Sequence, residues 1–369
     1  MTLTDFKLER YFAKYEFTTK HLLSSSDCDG YPLQYILDCA TAAERKLYDE
    51  IKLGYTDSPG SLFLREAIAR QYKTITPDKV VVTSPGEANF ALMNVLLKPG
   101  DHVICMSPAY QSLYQIAEDL GASVSYWKPA TENWHFRPAD LAALVTPSTK
   151  LIIVNFPHNP TGFLPNAAEQ KQIVDIARQH NTVLFADEMY HQLVHDDKDQ
   201  IPAFCDLYEN AVSLWGMAKS FGLAGLRMGW LASHNQKILD QVLAFKDYLT
   251  ICNNPISEVL TTIALNHKEK FIAPNVAKIK QNIVLFEKFV SEHGNIFLFT
   301  RPTAGSTAFV KLVNGETAMH FTDRVVREAG IMLLPSEMFD YGTQHLRIGF
   351  GRASMPQSLD AFKKYLLEK

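Results

Sequence analysis

Cysteine is scarce in this 369-residue sequence, and the few that occur stand far apart. There are five, none of them in a CxxC pair: Cys28, Cys39, Cys105, Cys205 and Cys252. This spacing argues against a disulfide framework and against a zinc site, so we predict no bound metal. It also favours a reducing compartment.

Long apolar runs and clusters of basic charge are absent as well. No stretch approaches the roughly 20 apolar residues of a membrane span, and the charged N-terminus MTLTDFKLERYFAKYEF lacks the apolar core of a signal peptide. The formal net charge is −4 and the basic residues are scattered, which argues against a nucleic-acid partner. With 47% apolar and 21% charged residues, the sequence is typical of a soluble globular protein, and we expect it in the cytoplasm.

The order of strand-like and helical patterns predicts an α/β protein. From residue 80 onward, short β-rich runs alternate with helical stretches such as Ala167–Gln179. Several runs, including Leu-Ile-Ile-Val, are continuously apolar, as expected for strands that are covered on both faces. We therefore predict a mostly parallel sheet with helices on both faces. Its predicted strands are Val80–Thr83, His102–Met106, Ser123–Tyr126, Leu151–Asn155, Val183–Ala186, Val212–Trp215 and Met228–Ala232.

The length exceeds that of a typical single core, so we predict two domains. After about residue 260 the pattern becomes helical and charged, then returns to short strand-like runs, which predicts a smaller α+β domain. We assign residues 46–270 to the large domain and residues 1–45 and 271–369 to the small one. The predicted strands of the small domain are Ile296–Thr300, Thr307–Leu312, Ile331–Leu334 and His345–Gly349.

One lysine stands out in the segment SLWGMAKSFGLAGLRMGW, residues 213–230. Lys219 lies among small and apolar neighbours, where it is poorly solvated and its neutral, nucleophilic form is favoured. Glycines after it allow a tight turn that brings Arg227 back towards an anion held near the lysine. The alternative is a surface lysine with an arginine in an ordinary salt bridge.

In parallel sheets, ligands bind at the carboxyl ends of the strands, and polar residues stand at these predicted ends. Asp187 follows a buried strand and needs a cationic partner, for which a protonated pyridine nitrogen is suitable. Tyr190 is placed to bond a phenolate oxygen, and Asn159 in Asn-Pro-Thr-Gly can donate to an oxygen above the sheet edge. The alternatives are a helix N-cap at Asp187, a core tyrosine and an ordinary Asn-Pro turn.

Two further strand ends complete the pattern. Ser84–Asn89 predicts a turn that opens a helix, whose free N–H groups suit a phosphate. Tyr110 offers a flat ring beyond another strand end, although a core aromatic is the alternative. A nucleophilic lysine, a carboxylate for a pyridinium, phenolate donors and a phosphate site are together what pyridoxal 5′-phosphate requires.

The sequence resembles the class I/II aminotransferases, the aspartate-aminotransferase superfamily of fold-type I pyridoxal-phosphate enzymes, from about Tyr55 to the C-terminus. The motifs that carry the resemblance are AsnProThrGly at 159–162, AspGluMetTyr at 187–190, AlaLysSerPheGly at 218–222, GlyLeuArgMetGly at 225–229 and LeuArgIleGlyPhe at 346–350. The resemblance implies that Lys219 forms a Schiff base with the cofactor and shuttles the substrate proton. It further implies that Asp187 pairs with the pyridinium, that Asn159 and Tyr190 bond the phenolate oxygen, and that Tyr110 stacks on the ring.

The resemblance also implies the anion sites. Arg227 would bind the cofactor phosphate together with the helix start at Gly86, Glu87 and Ala88. Tyr55 matches a tyrosine that reaches the phosphate from the partner subunit, which implies a homodimer with shared active sites. For the substrate, Arg347 matches the arginine that clamps the α-carboxylate, beside Asn159.

Two departures from the family pattern concern the phosphate and the substrate, and one further stretch resembles a sub-group of the family. Serines found before the lysine in many relatives are replaced by Gly216 and Ala218, which leaves Ser220 as a candidate phosphate ligand. The polar run SSSDCDG lacks the usual Gly-x-Pro stretch, and its Asp27 and Asp29 either meet a cationic substrate side chain such as arginine or form a solvated acidic loop. The Lys-Asp-Tyr stretch at 246–248 resembles enzymes for arginine-derived amino acids, including capreomycidine synthase-like ones.

These observations predict an aminotransferase that moves an amino group from an amino acid to a 2-oxo acid through a Lys219 Schiff base. A second hypothesis is a pyridoxal-phosphate lyase or cyclase, which performs elimination or replacement on an amino acid, with an arginine-derived substrate as one option. A third, a cofactor-sensing module of a transcription regulator, is disfavoured. The fold begins near the N-terminus without room for a DNA-binding domain, and Lys219 and Arg347 are both present.

Overall fold

The computed structural model of the protein describes residues 3–130 and 132–368. Within these ranges the α-helices are α1 Lys7–Tyr15, α2 Leu33–Cys39, α3 Ala42–Asp49, α4 Leu62–Ala69, α5 Pro85–Leu96, α6 Gln115–Asp119, α7 Pro138–Leu144, α8 Ala167–Gln179, α9 Gln236–Lys246, α10 Pro255–Asn266, α11 Glu269–Glu292, α12 Ala318–Ala329 and α13 Met355–Leu367. The strands are β1 His21–Leu22, β2 Val80–Thr83, β3 His102–Met106, β4 Ser123–Trp127, β5 Thr149–Asn155, β6 Val183–Asp187, β7 Ala211–Gly216, β8 Gly229–Ala232, β9 Phe297–Leu298, β10 Thr307–Leu312, β11 Ile331–Met332, β12 Leu334–Pro335 and β13 His345–Gly349.

A seven-stranded sheet forms the centre of the molecule, in the order β2-β8-β7-β6-β5-β3-β4. Strands β3 to β7 pair in parallel, whereas β8 is antiparallel to both β2 and β7. Neighbouring residues of β2 point to opposite faces, because Val81 packs in the core that contains α5 and α9 while Val80 packs with α4 and α10. The predicted α/β fold, with a mostly parallel sheet covered by helices on both faces, is confirmed.

The pattern of residues 110–120 predicts one helix, but the structure divides them. Gln111–Leu113 forms a 3₁₀ turn, and only α6 is α-helical. The two are separated because Tyr114 has φ −121°, outside the helical range, so its backbone ends the turn before α6 begins.

A smaller antiparallel sheet has the order β12-β13-β10-β9. The single strand predicted over Ile331–Leu334 is divided in two, because β11 pairs in parallel with β1 while β12 pairs with β13. Helix α12 leads into β11 through Gly330, which adopts a left-handed conformation with φ 63° at the helix end.

The first part of the chain joins both sheets. Helix α1 packs on the small sheet, where Leu8 and Tyr11 contact the core around Phe309. Helix α2, predicted to lie in the small domain, instead packs against α10 of the large one. The two-domain division stays a prediction, and this contact argues for moving its first boundary from residue 45 towards residue 30.

Close packing at β13 fixes the segment that follows β1. The carbonyl oxygen of Ser25 lies 1.6 Å from the position that a Cβ on Gly349 would occupy. Only glycine fits there, so the backbone of residues 24–28 runs directly against the end of β13. Within the described residues, no helix has both the length and the apolar character needed to cross a bilayer.

Candidate active site

A cavity of about 450 Å³ opens at the carboxyl ends of β5, β6 and β7. This volume is in the range of small-molecule sites. Its wall contains most of the residues predicted from the strand ends and motifs: Gly86, Tyr110, Asn159, Asp187, Tyr190, Lys219, Arg227 and Arg347. Tyr55, Glu87 and Ala88 are not among the lining residues.

Lys219 lies three residues beyond β7, and its side chain is half-buried in the cavity wall. Its Nζ donates to Ser26 Oγ at 3.1 Å. No carboxylate forms a salt bridge with it among residues 3–130 and 132–368. The alternative of a surface lysine is therefore wrong, and the amine is positioned inside the cavity.

Asp187 ends β6 opposite Asn155 of β5 and is only 6% exposed. Its Oδ1 accepts from the Met189 N–H at 3.1 Å, and no partner for Oδ2 lies in the described parts of the chain. Burial raises the pKa of Asp187 to about 6, against a smaller opposing effect of Lys219. No helix begins here, so the N-cap alternative is wrong, and the carboxylate remains available to a cation from a ligand.

Asn159 is held by a short network at the same sheet edge. Its backbone N–H donates to Asn155 Oδ1 at 2.8 Å, and Asn155 Nδ2 donates to the Asp187 carbonyl at 2.8 Å. Its own Oδ1 accepts from Arg347 Nη1 at 3.2 Å, which leaves Nδ2 free to donate into the cavity. Tyr190 is buried beside this network and also lines the cavity.

Arg347 projects from β13 and is 2% exposed. Its Nε and Nη2 donate to the Ser24 carbonyl at 3.1 and 2.9 Å. Together with the bond to Asn159, these use three of the five guanidinium N–H groups and leave two for a ligand. Burial lowers the pKa of Arg347, and Phe12 lies 5.5 Å from its Cζ. A buried guanidinium without a carboxylate partner is costly unless a ligand provides an anion.

The start of α5 and the turn before β8 form the other end of the cavity. The N–H groups of Gly86 and Glu87 donate to no backbone acceptor among the residues described, whereas the Ala88 N–H donates to the Ser84 carbonyl at 2.9 Å. Arg227 has φ 53°, donates only to the Ala224 carbonyl at 3.1 Å and forms no salt bridge within those residues. Two helix-start amides and an unpaired guanidinium make an anion site there.

Two predictions about the phosphate end need correction. Ala88 cannot offer its N–H to a ligand, because that group closes the first turn of α5. Ser220 is fully buried outside the cavity, where its hydroxyl donates to the His191 carbonyl at 2.5 Å. The alternative of an ordinary salt bridge at Arg227 is also wrong for the described residues.

Tyr110 forms part of the wall and touches α1. Its hydroxyl donates to Glu9 Oε1 at 2.5 Å, and its ring lies 4.9 Å from the Phe6 ring. The side chain is half-buried, so the alternative of a plain core aromatic is wrong. Tyr55, by contrast, is 90% exposed and away from the cavity, and its role in a partner's site stays a prediction.

The family model for aminotransferase class I and II matches residues 18–361. The chain belongs to this aminotransferase family. Pyridoxal phosphate is the cofactor of this aminotransferase-family chain, and the cavity has the donor set that the cofactor requires: an amine, a buried carboxylate with a free oxygen, and an anion site.

Three relatives show the spread of reactions in the family. Capreomycidine synthase from Streptomyces vinaceus is 30% identical over 372 residues, which cover 99% of this chain and 93% of the relative. The crystal structure of a PLP-dependent aminotransferase from Streptococcus suis has a TM-score of 0.92 and 25% identity, over 100% of this chain and 99% of that one. A PLP-dependent cyclase, OrfR, has a TM-score of 0.90 and 25% identity, over 100% and 98%.

One wall of the cavity was predicted only in part, through Asp27. Helix α1 and the segment after β1 contribute it through Leu8, Glu9, Phe12, Glu16, Ser26 and Asp27. The sequence shows α1 only as a short amphipathic piece, and its partners lie more than 100 residues away. The acidic loop is not solvated: both oxygens of Asp27 accept from Arg352 Nη2 at 2.9 Å. Asp29 instead pairs with Lys278 at 2.7 Å, outside the cavity.

Proposed function

We propose that this family member is an aminotransferase that moves an amino group from an amino acid to a 2-oxo acid. One observation carries the proposal: Lys219, Arg227 and Arg347 line one cavity, and none forms a salt bridge within residues 3–130 and 132–368. Their anionic and electrophilic partners must then come from ligands. A phosphate, an aldehyde and an α-carboxylate meet these needs in turn.

The residues that bind the cofactor are assigned from the groups without protein partners at the strand ends. Arg227 and the N–H groups of Gly86 and Glu87 hold the phosphate. Asp187 keeps a proton on the pyridine nitrogen, and this contact favours its ionised form, which burial alone disfavours. Bound in this way, pyridoxal phosphate supplies the electron sink that makes a substrate Cα proton acidic.

The remaining residues act on the phenolate oxygen, the ring and the substrate. Asn159 Nδ2 and the Tyr190 hydroxyl donate to the phenolate oxygen, and Tyr110 covers the ring. Arg347 receives the substrate α-carboxylate with its two free N–H groups. This orientation presents the Cα–H bond to Lys219 Nζ, which removes the proton and returns it as a general acid.

A second candidate function is elimination or replacement with cyclisation on an arginine-derived amino acid. The similarity to capreomycidine synthase along 99% of the chain and the fold match to the cyclase OrfR favour it. Both candidates begin with removal of the Cα proton by Lys219. They differ in whether a leaving group departs from the substrate side chain.

An absorbance titration with single amino acids tests the proposal. The purified protein is loaded with pyridoxal phosphate, mixed with one amino acid at a time, and the cofactor spectrum and products are recorded. Stoichiometric 2-oxo acid with conversion of the cofactor to its amine form supports amino transfer. Ammonia or a cyclised product with the cofactor regenerated supports the second candidate, and failure to bind the cofactor contradicts both.

The enzyme is further proposed to be a cytoplasmic homodimer in which Tyr55 of one copy reaches the phosphate held by the other. This proposal is supported by the 90% exposure of Tyr55. Other large apolar side chains, such as Leu53 and Tyr248, are exposed as well. Analytical ultracentrifugation reports the oligomeric state. Tyr55→Ala is expected to weaken cofactor binding, and an unchanged affinity in a dimer would remove this role.

A further inference from the structure

The charges on the cavity wall do not balance once the proposed ligands are in place. The phosphate matches Arg227, the α-carboxylate matches Arg347, the aldehyde engages Lys219 and the pyridinium matches Asp187. Three more carboxylates line the same cavity, on the side of α1 and the segment after β1: Glu9, Glu16 and Asp27. No group of the cofactor or of a neutral amino acid is left to meet them.

Two of these carboxylates have partners in the protein. Asp27 accepts two bonds from the Arg352 guanidinium, and Glu9 accepts from the neutral hydroxyl of Tyr110. Glu16 differs, because no hydrogen bond or salt bridge of its carboxylate is found among residues 3–130 and 132–368. Partial burial raises its pKa, and the nearby Asp27 and Glu9 add to this effect while Arg352 and Lys219 oppose it.

The position of Glu16 is set by α1 and not by a mobile loop. Glu9, Phe12 and Glu16 are spaced three and four residues apart, so they share the helix face that meets the cavity. Over this span the helix rises about 10 Å. Glu16 caps the end of α1, where its N–H donates to the Phe12 carbonyl at 2.8 Å.

Helix α1 itself is fixed at several points. The Tyr11 hydroxyl donates to the Leu333 carbonyl at 3.1 Å, Lys7 pairs with Asp340 at 2.5 Å, and the Lys7 N–H donates to Gln111 at 2.9 Å. The Phe12 ring between the two glutamates lies near Arg347, where it offers an apolar surface to the aliphatic part of a substrate side chain.

We infer that Glu16 is a specificity-determining residue that receives the cationic side chain of the amino-acid substrate while Arg347 holds its α-carboxylate. The inference rests on the proposed function and names its substrate class, an amino acid with a terminal guanidinium or ammonium group. A guanidinium can form two parallel bonds with the Glu16 carboxylate, whereas an ammonium acts as a point charge. Asp27 remains paired with Arg352, which leaves Glu16 as the carboxylate without a partner among the described residues.

The experiment uses amino-acid pairs that differ in side-chain charge. L-arginine is compared with L-citrulline, and L-lysine with L-norleucine, by titrating the cofactor-loaded protein and following the cofactor absorbance to obtain Kd. The wild-type protein is expected to bind the cationic member of at least one pair about tenfold or more tightly. The pair with the larger ratio of Kd values shows whether the site prefers a guanidinium or an ammonium group.

Glu16→Gln keeps the shape of the side chain and removes its charge. It is expected to weaken binding of the preferred cation about tenfold, with citrulline and norleucine changed by no more than about twofold. Glu209→Gln, which neutralises an exposed glutamate outside the cavity, is the matched control and leaves all four affinities unchanged.

The failures of the two proposals are distinguishable. If neutral and cationic amino acids perturb the cofactor spectrum with equal affinity, or if Glu16→Gln weakens both members of a pair equally, the inference is overturned and the proposed function stands. If no amino acid changes the spectrum of the bound cofactor, the proposed function fails and this inference fails with it.

Discussion

The two sides of the cavity are constructed differently. On the cofactor side, functional groups stand at the ends of adjacent strands, and the ladders fix their spacing: Asn155 lies opposite Asp187, and Asp187 opposite Leu214. On the α1 side, side chains come from segments held by contacts across more than 300 residues, such as Lys7 with Asp340. The contrast teaches that the residues proposed for proton transfer are positioned by the ends of the sheet strands, while the residues proposed to meet the substrate side chain are carried by a separate helix.

The largest expected effect is that of Lys219→Ala, on the cofactor side. Turnover is expected to fall on the order of 10⁴-fold, because the base for the Cα proton is gone. The cofactor still binds non-covalently through Asp187 and Arg227, which equilibrium dialysis measures. A variant that keeps near-native turnover would contradict the assignment of Lys219.

Arg347→Ala tests whether the substrate side has its own anion clamp. For amino acids the KM is expected to rise about a hundredfold, because a charge-assisted bidentate contact is lost. For the corresponding decarboxylated amines the KM is expected to stay nearly constant. Steady-state kinetics with matched amino acid and amine pairs checks this, and an equal rise for both would place the clamp elsewhere.

The raised pKa of Glu188, which is next to Asp187 in the chain, predicts that the free energy of unfolding depends on pH. Burial raises the pKa of Glu188 from 4.5 to about 8, so the folded protein binds this proton more tightly than the unfolded chain does. The stabilisation is therefore fully present below pH 4.5 and is lost as the pH rises through 8. From pH 6 to pH 8 the free energy of unfolding is expected to fall by about 2 kcal/mol from this group.

Glu188→Gln, which keeps the shape and removes the proton equilibrium, is expected to flatten that dependence. Urea denaturation of the cofactor-free protein at several pH values measures it, with Glu209→Gln as the control. A slope in the variant equal to that of the wild type would show that another group causes it.

The smallest expected effect belongs to the hydrogen bond that joins the two sides. Tyr110→Phe removes the bond to Glu9 and leaves the ring in place. The free energy of unfolding is expected to fall by about 1 kcal/mol, with cofactor affinity changed by no more than about twofold. Denaturant unfolding and cofactor titration together check this. A large loss of cofactor affinity would mean that α1 is part of the cofactor side.

The sequence predicts the cofactor side well because the relevant signals are local. An apolar run specifies a strand such as β5 or β6, and the polar residue that follows it must lie at the sheet edge. Two details failed for equally local reasons. The Ala88 N–H donates within the first turn of the helix, and the Ser220 hydroxyl donates to the His191 carbonyl. A sequence motif reveals neither of these hydrogen bonds.

The α1 side of the cavity could not be predicted from the sequence, because its geometry depends on contacts with residues far away along the chain. The pattern of α1 predicts an amphipathic helix, but distant contacts such as that of Tyr11 with Leu333 determine which face meets the cavity. The same holds for Asp27 and Asp29, which are two residues apart in sequence: Asp27 lines the cavity, whereas Asp29 pairs with Lys278. The role proposed for Tyr55 requires a second chain, whose position a single sequence does not describe.

The attachment of α1 by a few contacts with distant residues has an evolutionary consequence. The residues that we propose to meet the substrate side chain lie within the first 30 positions, apart from the strands whose ends carry the proposed cofactor ligands. Selection can therefore change the substrate preference of the enzyme through a few substitutions in one short stretch, while the reaction that it catalyses is retained. A chimaera that carries the first 30 residues of a relative should inherit that relative's preference.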